Sequence, residues 1–319
     1  MDRSNPVGQL RAAVAAFAKE YLPDVDRWCV ALSGGADSLA LTAAAAGLLP
    51  TTALIVDHGL QAGSAAAAKT AQNQAKELGC VGAEIISVTV GTAGGPEAAA
   101  RTARYAALDS GRGQAPVLIG HTLDDQAETV LLGLGRGSGP RSIAGIRPFD
   151  PPWCRPLLHL RRDTTEAACA ALGLTPWRDP HNHDRRFTRT RLRHEVLPLL
   201  EDVLGGGVAE ALARTATALQ EDGDVLDALA ERALEENRGT RLETAPLTEL
   251  PVAVRLRVIR GWLLAGGARN LTSKQIRAVD ELVTAWRGQG GVAVGGDRAG
   301  TRLFARRRDG ALVLEYAPI

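Results

Sequence analysis

The segment from Arg27 to Ser38 constrains the fold more than any other part of the sequence, because it joins an apolar run to a helix-forming run through a glycine-rich turn. It reads Arg-Trp-Cys-Val-Ala-Leu-Ser-Gly-Gly-Ala-Asp-Ser, and an alanine-rich stretch follows from Leu39 to Leu49. The run Trp28 to Leu32 predicts a buried strand, and Leu39 to Leu49 predicts a helix. Glycines let backbone amides approach an anion, and a helix start offers unpaired N–H groups. The segment therefore predicts an oxyanion-binding turn.

This turn differs from the common phosphate-binding loop, in which a lysine follows the glycines. The chain has only four lysines, and none follows a glycine-rich loop. The predicted phosphate ligands are Ser33, Gly34, Gly35, Ala36, Asp37 and Ser38. Among them, Asp37 has the side chain to position a divalent metal. A tight turn that binds no ligand is the alternative explanation.

Length and composition indicate a two-domain globular protein. The chain has 319 residues, of which 45% are hydrophobic and 23% are charged, and its net charge is +1. The amino terminus has no apolar signal core, and no apolar run reaches membrane-spanning length, so a cytoplasmic location without membrane contact is expected. The four cysteines form no CxxC pair, which disfavours disulfides, a zinc site and a cysteine-bound cluster. The oligomeric state stays open, a homodimer included.

Strands and helices alternate along the first part of the chain. Further short apolar runs predict strands at Thr52–Val56, Ala83–Val90 and Val117–Gly120, with helical stretches between them. We therefore predict the α/β class, with a parallel five-stranded sheet covered by helices on both faces. Ligands bind at the carboxyl ends of such strands, where Ser33 and Asp57 fall. Asp57 is interpreted either as an ATP contact or as a cap of the next element.

A polar stretch, His121-Thr-Leu-Asp-Asp-Gln-Ala-Glu-Thr129, follows the strand at Val117–Gly120. If a helix begins near Leu123, three carboxylates share one region, and they repel one another unless a cation lies among them. Magnesium that bridges these groups and ATP phosphates is the functional interpretation. The alternative is a capped helix start with favourably placed acidic residues.

Basic residues supply candidate anion contacts. On the helix that starts at Pro96, Arg104 is a candidate for a phosphate, whereas Arg101 could instead pair with Glu97. Arg136 lies among glycines at 133–139, in a loop that suits an anionic substrate. Between Pro151 and His194 nine arginines accompany four acidic residues, which is typical of a polyanion-binding face. The predicted contacts in this face are Arg178, Arg189, Arg191 and Arg193. His181 and His183 lack a third zinc ligand, so no metal site is predicted there.

The last third of the sequence predicts a separate unit. Three glycines at 205–207 precede a long amphipathic stretch, two helical patterns follow, and short alternating runs near the end predict a small sheet. We expect a catalytic domain over 1–204, with its arginine-rich segment at 151–200, a long linker helix over 205–240 and a small α+β domain over 241–319. The arginines at 306–308 could contact RNA or keep an edge strand soluble.

Several motifs occur in the order seen in one family. SGGADS at 33–38 resembles the signature of the PP-loop ATP pyrophosphatases, which have a Rossmann-like fold. The ordered set VDHGL at 56–60, RTARY at 101–105, HTLDDQAET at 121–129, GLGRGSG at 133–139, RPLL at 155–158, WRDPHN at 177–182 and FTRTRLRHEVLP at 187–198 resembles the tRNA(Ile)-lysidine synthetase family, in a short form. The resemblance covers about residues 25–200. Gln61, His181 and Thr190 depart from the family pattern, which affects expected details of tRNA contact.

The resemblance implies a ligase that uses ATP and Mg²⁺ to join L-lysine to C2 of cytidine 34 in tRNA(Ile) with a CAU anticodon. The base is first adenylated, and AMP and pyrophosphate are released. The implied catalytic residues are Asp37, Arg104, Asp125 and Glu128, with Asp37 and Asp125 as metal ligands. Asp57 and His121 are assigned to ATP. Asp124, Glu128 and Arg101 are assigned to lysine or cytidine, and the implied tRNA contacts are Arg136, Arg178, Arg189, Arg191 and Arg193. In this family the carboxyl-terminal domain helps to bind tRNA.

Two alternatives remain at this point. One is another PP-loop enzyme, such as a tRNA thiolase or an amidotransferase-type synthetase; the missing CxxC and glutaminase module oppose these. The other is a non-catalytic RNA-binding protein with a PP-loop fold, which the acidic residues Asp37, Asp125 and Glu128 oppose.

Overall fold

A computed structural model describes residues 5–59, 63–91, 95–137, 139–179, 184–236, 241–298 and 300–318. The chain divides into two compact units, Met1–Thr217 and Ala218–Ile319. Among the described helices, none is both long and apolar enough to cross a membrane.

The first unit alternates strands and helices. Its strands are β1 (Trp28–Ala31), β2 (Thr51–Asp57), β3 (Gly82–Ser87), β4 (Val117–Ile119), β5 (Phe149–Asp150) and β6 (Trp153–Cys154). Its first helices are α1 (Pro6–Tyr21), α2 (Ala36–Ala46), α3 (Ser64–Glu77), α4 (Pro96–Gly111), α5 (Leu123–Arg136) and α6 (Pro140–Ile143). They are followed by α7 (Arg162–Ala171), α8 (Thr188–Arg191), a π-helical turn (Leu192–Val196) and α9 (Leu197–Val203). Helix α10 extends over Val208–Glu236.

The sheet of the first unit has the strand order β3-β2-β1-β4-β6-β5. The first five strands of this order are parallel, and the two-residue edge strand β5 runs antiparallel to β6. The predicted α/β class with a parallel sheet is confirmed. Strand β1 pairs with β2 on one side and with β4 on the other, which makes its carboxyl end a topological switch point where ligands bind in such sheets.

The central position of β1 explains its unbroken apolar sequence. Val30 and Leu32 are fully or almost fully buried, and the Trp28 ring is buried while its Nε1 donates to Thr51 Oγ1 over 2.7 Å. A parallel strand covered on both faces needs apolar side chains on both, so no polar alternation is seen. Leu39 and Leu41 of α2 belong to the same core.

The prediction that a helix begins at Leu39 is wrong by three residues. Helix α2 begins at Ala36, and Leu39 donates its backbone N–H to Gly35 over 3.0 Å. Asp37 and Ser38 therefore occupy the first helical turn instead of the loop. The reason is that the Ser38 hydroxyl closes this turn on itself, by donating to the Gly35 carbonyl over 3.0 Å. As a result, both side chains lie beside the free N–H groups of the helix start.

The second unit contains a four-stranded sheet with the order β7-β10-β9-β8, and all its pairings are antiparallel. Its strands are β7 (Arg241–Glu243), β8 (Val292–Val294), β9 (Thr301–Arg308) and β10 (Ala311–Pro318). Its helices after α10 are α11 (Thr244–Thr248), α12 (Val252–Ala265) and α13 (Ser273–Thr284). Ile259, Trp262 and Leu282 form its core with Leu303 and Leu312. The predicted small sheet is present, and β7 adds a strand that the sequence pattern did not indicate.

Candidate active site

The loop between β1 and α2 is fixed by the backbone conformation of Gly34 and by a hydrogen bond from Trp177. Gly34 has a φ of +83°, and a Cβ at this position would lie 3.6 Å from the Ala71 Cβ and 3.7 Å from the Trp177 Cβ. The Trp177 N–H also donates to the Gly34 carbonyl over 2.9 Å. Glycine is favoured here because an L side chain is strained at this φ.

The two loop serines differ in how far their hydroxyls are available. Ser38 is buried, and its hydroxyl bonds within the loop to the Ser33 N–H at 3.2 Å and to the Gly35 carbonyl. Ser33 is exposed, and its hydroxyl lies 3.1 Å from that of Ser38. The Ser33 hydroxyl is therefore the more accessible of the two, whereas that of Ser38 shapes the loop.

Gly120 connects the end of β4 to this loop by close contact. A Cβ at Gly120 would lie 2.9 Å from the Asp37 carbonyl carbon and oxygen, and 3.0 Å from the Ser38 nitrogen. The two segments can approach this closely only because position 120 has no side chain.

We expect Gly120→Ala to weaken ATP binding about tenfold or more. The added Cβ would push the first turn of α2, at Asp37, away from its position beside the glycine loop. Isothermal titration calorimetry with ATP would measure the change. Gly135→Ala is the matched control, since a Cβ at Gly135 meets no atom within 4 Å. Equal affinity in the wild type and Gly120→Ala would contradict the prediction.

The polar stretch after β4 forms the first turn of α5. Thr122 is its N-cap, and both the backbone N–H and the hydroxyl of Thr122 donate to Asp125 Oδ2, over 2.8 and 3.0 Å. One oxygen of Asp125 is therefore used in capping, and Oδ1 faces Arg162 at 2.8 Å. Asp125 therefore caps α5 through Oδ2, and its other oxygen, Oδ1, is the one to which the functional interpretation applies.

Arg162, the first residue of α7, joins the loop to α5. Its Nε lies 3.1 Å from Asp37 Oδ2, and its Nη1 lies 3.7 Å from Glu128 Oε1. The Thr165 hydroxyl also donates to Asp37. Burial raises the pKa of Asp37, and Arg162 opposes that rise. Burial would also raise the pKa of Asp125, but the Arg162 guanidinium holds that pKa below its ordinary value.

Glu128 is the most enclosed acidic residue of the site, with a side chain that is 0% exposed. Arg193 Nε donates to its Oε1 over 2.7 Å, and Arg189 Nη1 lies 3.5 Å from its Oε2. Arg193 also reaches Asp125 Oδ1 at 3.5 Å. The carboxylates of Asp37, Asp125 and Glu128 thus form one cluster, which we call the carboxylate cluster.

Asp124 has a different environment from this cluster. Its Oδ2 accepts the backbone N–H of Arg162 over 2.8 Å, and its Oδ1 lies 3.1 Å from Arg161 Nη2. Arg161 in turn contacts Glu210 at 3.0 Å. Asp124 therefore caps α7, and both of its oxygens have protein partners.

His121 stands beside the carboxylate cluster as a neutral imidazole. Burial lowers its pKa to about 4, against the opposing charge of Asp125, and the nearby Arg155, Arg101 and Arg189 contribute to the lowering. Its Nδ1 is shut off from solvent and has no hydrogen-bond partner among the described residues. This nitrogen is available to a ligand.

We expect NMR titration to show one imidazole, absent from His121→Asn, with a pKa near 4. Because the unfolded chain would bind this proton near pH 6.5, stability should fall by about 2 kcal/mol as the pH drops from 6.5 to 4.5. Urea unfolding of both proteins at these two pH values would separate this loss from that of Asp125. A titration of His121 near pH 6.5 would contradict the prediction.

The remaining ATP candidates lie at the carboxyl edge of the sheet or on α4. Asp57 ends β2, and its Oδ1 accepts the Gly59 N–H over 3.0 Å in a local turn; the next helix, α3, has Gly63 as its N-cap, so Asp57 does not cap it. Arg101 Nη2 lies 3.2 Å from the Tyr105 hydroxyl, and Arg104 is exposed on the same helix. Both ring nitrogens of His58 are buried without a hydrogen-bond partner among the described residues.

The structure separates the predicted tRNA contacts into two groups. Arg136, Arg178 and Arg191 are exposed. Arg189 and Arg193 instead face Glu128, as described above. His181, His183, Ser138 and Gln61 lie outside the described residues.

Sequence reasoning counted Arg162 in the arginine-rich segment but did not single it out, and it missed Thr165. Their partner Asp37 is 125 and 128 positions away in the chain. No spacing rule reaches that far. The only local signal was a basic residue at the start of a helix, where the dipole favours acidic ones.

The donor chemistry of the carboxylate cluster fits magnesium in one respect. Mg²⁺ takes oxygen ligands and is commonly bound by one or two carboxylates together with substrate phosphates. Asp37 and Asp125 supply two such carboxylates on either side of one guanidinium. In the described part of the chain, no group of three or more His, Cys, Asp or Glu side chains is arranged as a metal site.

Two family models match most of this chain, and known relatives match it over its full length. Residues 8–200 match the family model described as a PP-loop domain, and residues 242–313 match the TilS substrate binding domain. The tRNA(Ile)-lysidine synthase of Mycobacterium tuberculosis is 69% identical over 324 residues, and that of Mycobacterium leprae is 65% identical; each comparison covers 100% of both chains. The U34-tRNA thiolase NcsA from Methanococcus maripaludis has a TM-score of 0.55, covers 69% of this chain and 81% of its own, and is 18% identical. This last likeness concerns the fold alone.

Proposed function

Because this chain belongs to the tRNA(Ile)-lysidine synthase family, we propose that it joins L-lysine to C2 of cytidine 34 in tRNA(Ile) with a CAU anticodon. The cytidine C2 oxygen attacks the ATP α-phosphate, and pyrophosphate leaves. The lysine ε-amine then attacks C2 and displaces AMP. With a tRNA as its proposed substrate, the enzyme would act in the cytoplasm.

One observation carries this proposal: the glycine loop and the stretch at 121–129 meet in a single site. Strands β1 and β4 are neighbours in the sheet, so the residues that follow them converge. Arg162 contacts Asp37 from the loop and Asp125 from α5. The proposed phosphate-binding turn and a cluster of carboxylates thus face the same space, which suits the adenylation of a base by ATP followed by attack of an amine on that base.

ATP would bind with its phosphates at the start of α2. The amides of Gly34, Gly35 and Ala36 and the Ser33 hydroxyl are the proposed donors there. Mg²⁺ held by Asp37 and Asp125 would neutralise charge on the phosphates during cleavage. From α4, Arg104 or Arg101 would reach the α-phosphate, where negative charge develops. His121 and Asp57 are proposed to contact the nucleotide, and neutral His121 would do so without adding charge.

The lysine amine would be recognised by Glu128 in preference to Asp124. Both oxygens of Asp124 are used in capping α7 and in binding Arg161. Glu128 Oε2, by contrast, accepts no hydrogen bond from the described residues. A buried carboxylate oxygen that has only an ion pair with Arg189 Nη1 at 3.5 Å could accept a hydrogen bond from an ammonium group and take a proton from it.

The tRNA would contact both units. Arg136, Arg178 and Arg191 are exposed and are proposed to neutralise backbone phosphates. Arg189 and Arg193 would reach tRNA only by leaving Glu128, so we propose that they respond to the bound substrate. The second unit contributes the domain that matches the TilS substrate binding model.

The decisive experiment incubates the purified chain with ATP, Mg²⁺, labelled lysine and a tRNA(Ile) transcript that has the CAU anticodon. Label is expected in this RNA and not in a matched transcript with uridine at position 34. Pyrophosphate should be released in equal amount to the lysine incorporated. Absence of label, or pyrophosphate release without label, would refute the proposal and favour one of the two alternatives predicted from the sequence.

A further inference from the structure

The Arg162 guanidinium lies where three carboxylates from two elements meet. Its Nε, Nη2 and Nη1 face Asp37, Asp125 and Glu128 at 3.1, 2.8 and 3.7 Å. The Arg162 side chain is only 17% exposed. One protein cation thus bridges the two carboxylates proposed as metal ligands and the one proposed to bind lysine.

We infer that Arg162 is an internal counter-ion that makes cation binding depend on ATP. In the structure, Arg162 bridges Asp37 and Asp125. When ATP binds, the Arg162 guanidinium transfers to phosphate oxygens of the nucleotide. Asp37 and Asp125 then become available to a divalent cation. The inference rests on the proposed function in one respect, namely that this site binds ATP with a divalent cation.

The charges of the cluster support this exchange. Asp37, Asp125 and Glu128 carry three negative charges, and the arginines that contact them, Arg162, Arg189 and Arg193, carry three positive ones. A divalent cation added to this balanced cluster would meet a guanidinium at close range in a poorly solvated site. The ATP phosphates bring new negative charge and suit the planar donors of arginine. Nucleotide binding therefore both attracts Arg162 and frees its carboxylates.

Arg162 is better placed than its neighbours to make this exchange. Its Nε pairs with Asp37 Oδ2 at 3.1 Å, and Asp37 lies in the first turn of α2, directly after the glycine loop. Its backbone is fixed independently of its side chain, because its N–H donates to Asp124 Oδ2 over 2.8 Å. Side-chain rotation alone can then move the guanidinium.

The cluster also has binding capacity that the described residues do not use. Glu128 Oε2 is shut off from solvent and accepts no hydrogen bond from them, with Arg189 Nη1 at 3.5 Å as its ion-pair partner. A buried anionic oxygen without a donor is unfavourable unless a ligand supplies one. This oxygen points to a further positively charged occupant once substrates are bound.

The test measures Mn²⁺ binding to the full chain by electron paramagnetic resonance, without tRNA or lysine. The nucleotide is an ATP analogue with a methylene group between the α and β phosphorus atoms, which cannot be cleaved there. Wild type is expected to bind Mn²⁺ at least tenfold more tightly with the analogue than without it. Without the analogue, Arg162→Gln is expected to bind Mn²⁺ at least tenfold more tightly than wild type.

Arg161→Gln is the matched control. Arg161 pairs with Asp124 and Glu210, and within the described part of the chain it contacts neither Asp37 nor Asp125. Its Mn²⁺ affinity should equal that of wild type. If Arg162→Gln does not fold, Arg162→Lys carries the test, with an expected gain of about two- to fivefold because its ammonium reaches fewer carboxylates at once.

A purely structural role for Arg162 would change stability without changing Mn²⁺ affinity, and that result would overturn the inference. Equal Mn²⁺ affinity of wild type with and without the analogue would overturn it as well. Neither result depends on lysine incorporation, so the proposed function is refuted separately, by the labelling assay.

Discussion

Replacing Asp37 by asparagine is expected to lower pyrophosphate release by about 100- to 1,000-fold in the presence of ATP and the CAU transcript. The carboxylate sits in the first turn of α2, between the loop amides and Arg162. Asparagine keeps the shape and the Thr165 contact but removes the charge that would balance a cation beside the phosphates. The loss should appear in the turnover number more than in the apparent affinity for tRNA, because Asp37 is proposed to act on ATP alone.

Asp163→Asn provides the control for this substitution. Asp163 lies next to Arg162 in the first turn of α7, and it is exposed. It has no proposed role, so pyrophosphate release should stay at the wild-type rate. A near-normal rate for Asp37→Asn would show that the site has been assigned wrongly, and it would leave the family membership untouched.

Arg193→Gln is expected to destabilise the protein by about 2 kcal/mol, because it removes the shortest ion pair of a fully buried carboxylate. Glu128 keeps weaker contacts with Arg162 and Arg189, which limits the loss. The urea-unfolding midpoint of the full chain would measure it. Adding Glu128→Gln should restore part of the stability, because the double variant no longer buries an unbalanced negative charge.

Arg191→Gln is the matched control, two residues away on the same segment. Arg191 is exposed and pairs with Glu195 at 3.2 Å, four residues further along. An exposed pair of this kind contributes little, so the unfolding midpoint should not change measurably. If the two variants had the same unfolding midpoint, the pairing of Arg193 with Glu128 would make no measurable contribution to stability, and Arg193 would behave as an exposed arginine.

Much of the fold could be predicted because it depends on local patterns. The apolar run at Trp28 and the glycines after it predict a strand and a turn wherever they occur, and the alternation of such runs predicts a parallel sheet. Boundaries were less certain: α2 starts at Ala36, since a side-chain hydrogen bond of Ser38 closes the turn early. Strand β7 was missed because its sequence, Arg-Leu-Glu, has only one apolar residue, whereas the equally short β4 and β8 are apolar throughout.

The arginines show where local reasoning stopped. By sequence alone, Arg178, Arg189, Arg191 and Arg193 formed one basic segment with one expected role. In the structure Arg189 and Arg193 face Glu128, whereas Arg178 and Arg191 are exposed. Arg189 and Arg193 differ from Arg191 because they lie on the face of the helical segment 188–196 that packs against α5. Residue type alone does not predict which face of a helix becomes buried. Their contact with tRNA stays a prediction for all four.

The sequence by itself determined the fold class, the glycine turn after β1 and the identity of the acidic residues, because each depends on neighbours within a few positions. Only the tertiary structure decided how those acidic residues are neutralised. Arg162 meets Asp37 and Asp125 across 125 and 37 positions of chain, through the meeting of α7 with the ends of β1 and β4. Long-range electrostatic pairing of this kind is set by which surfaces become buried together, and a one-dimensional pattern does not record it.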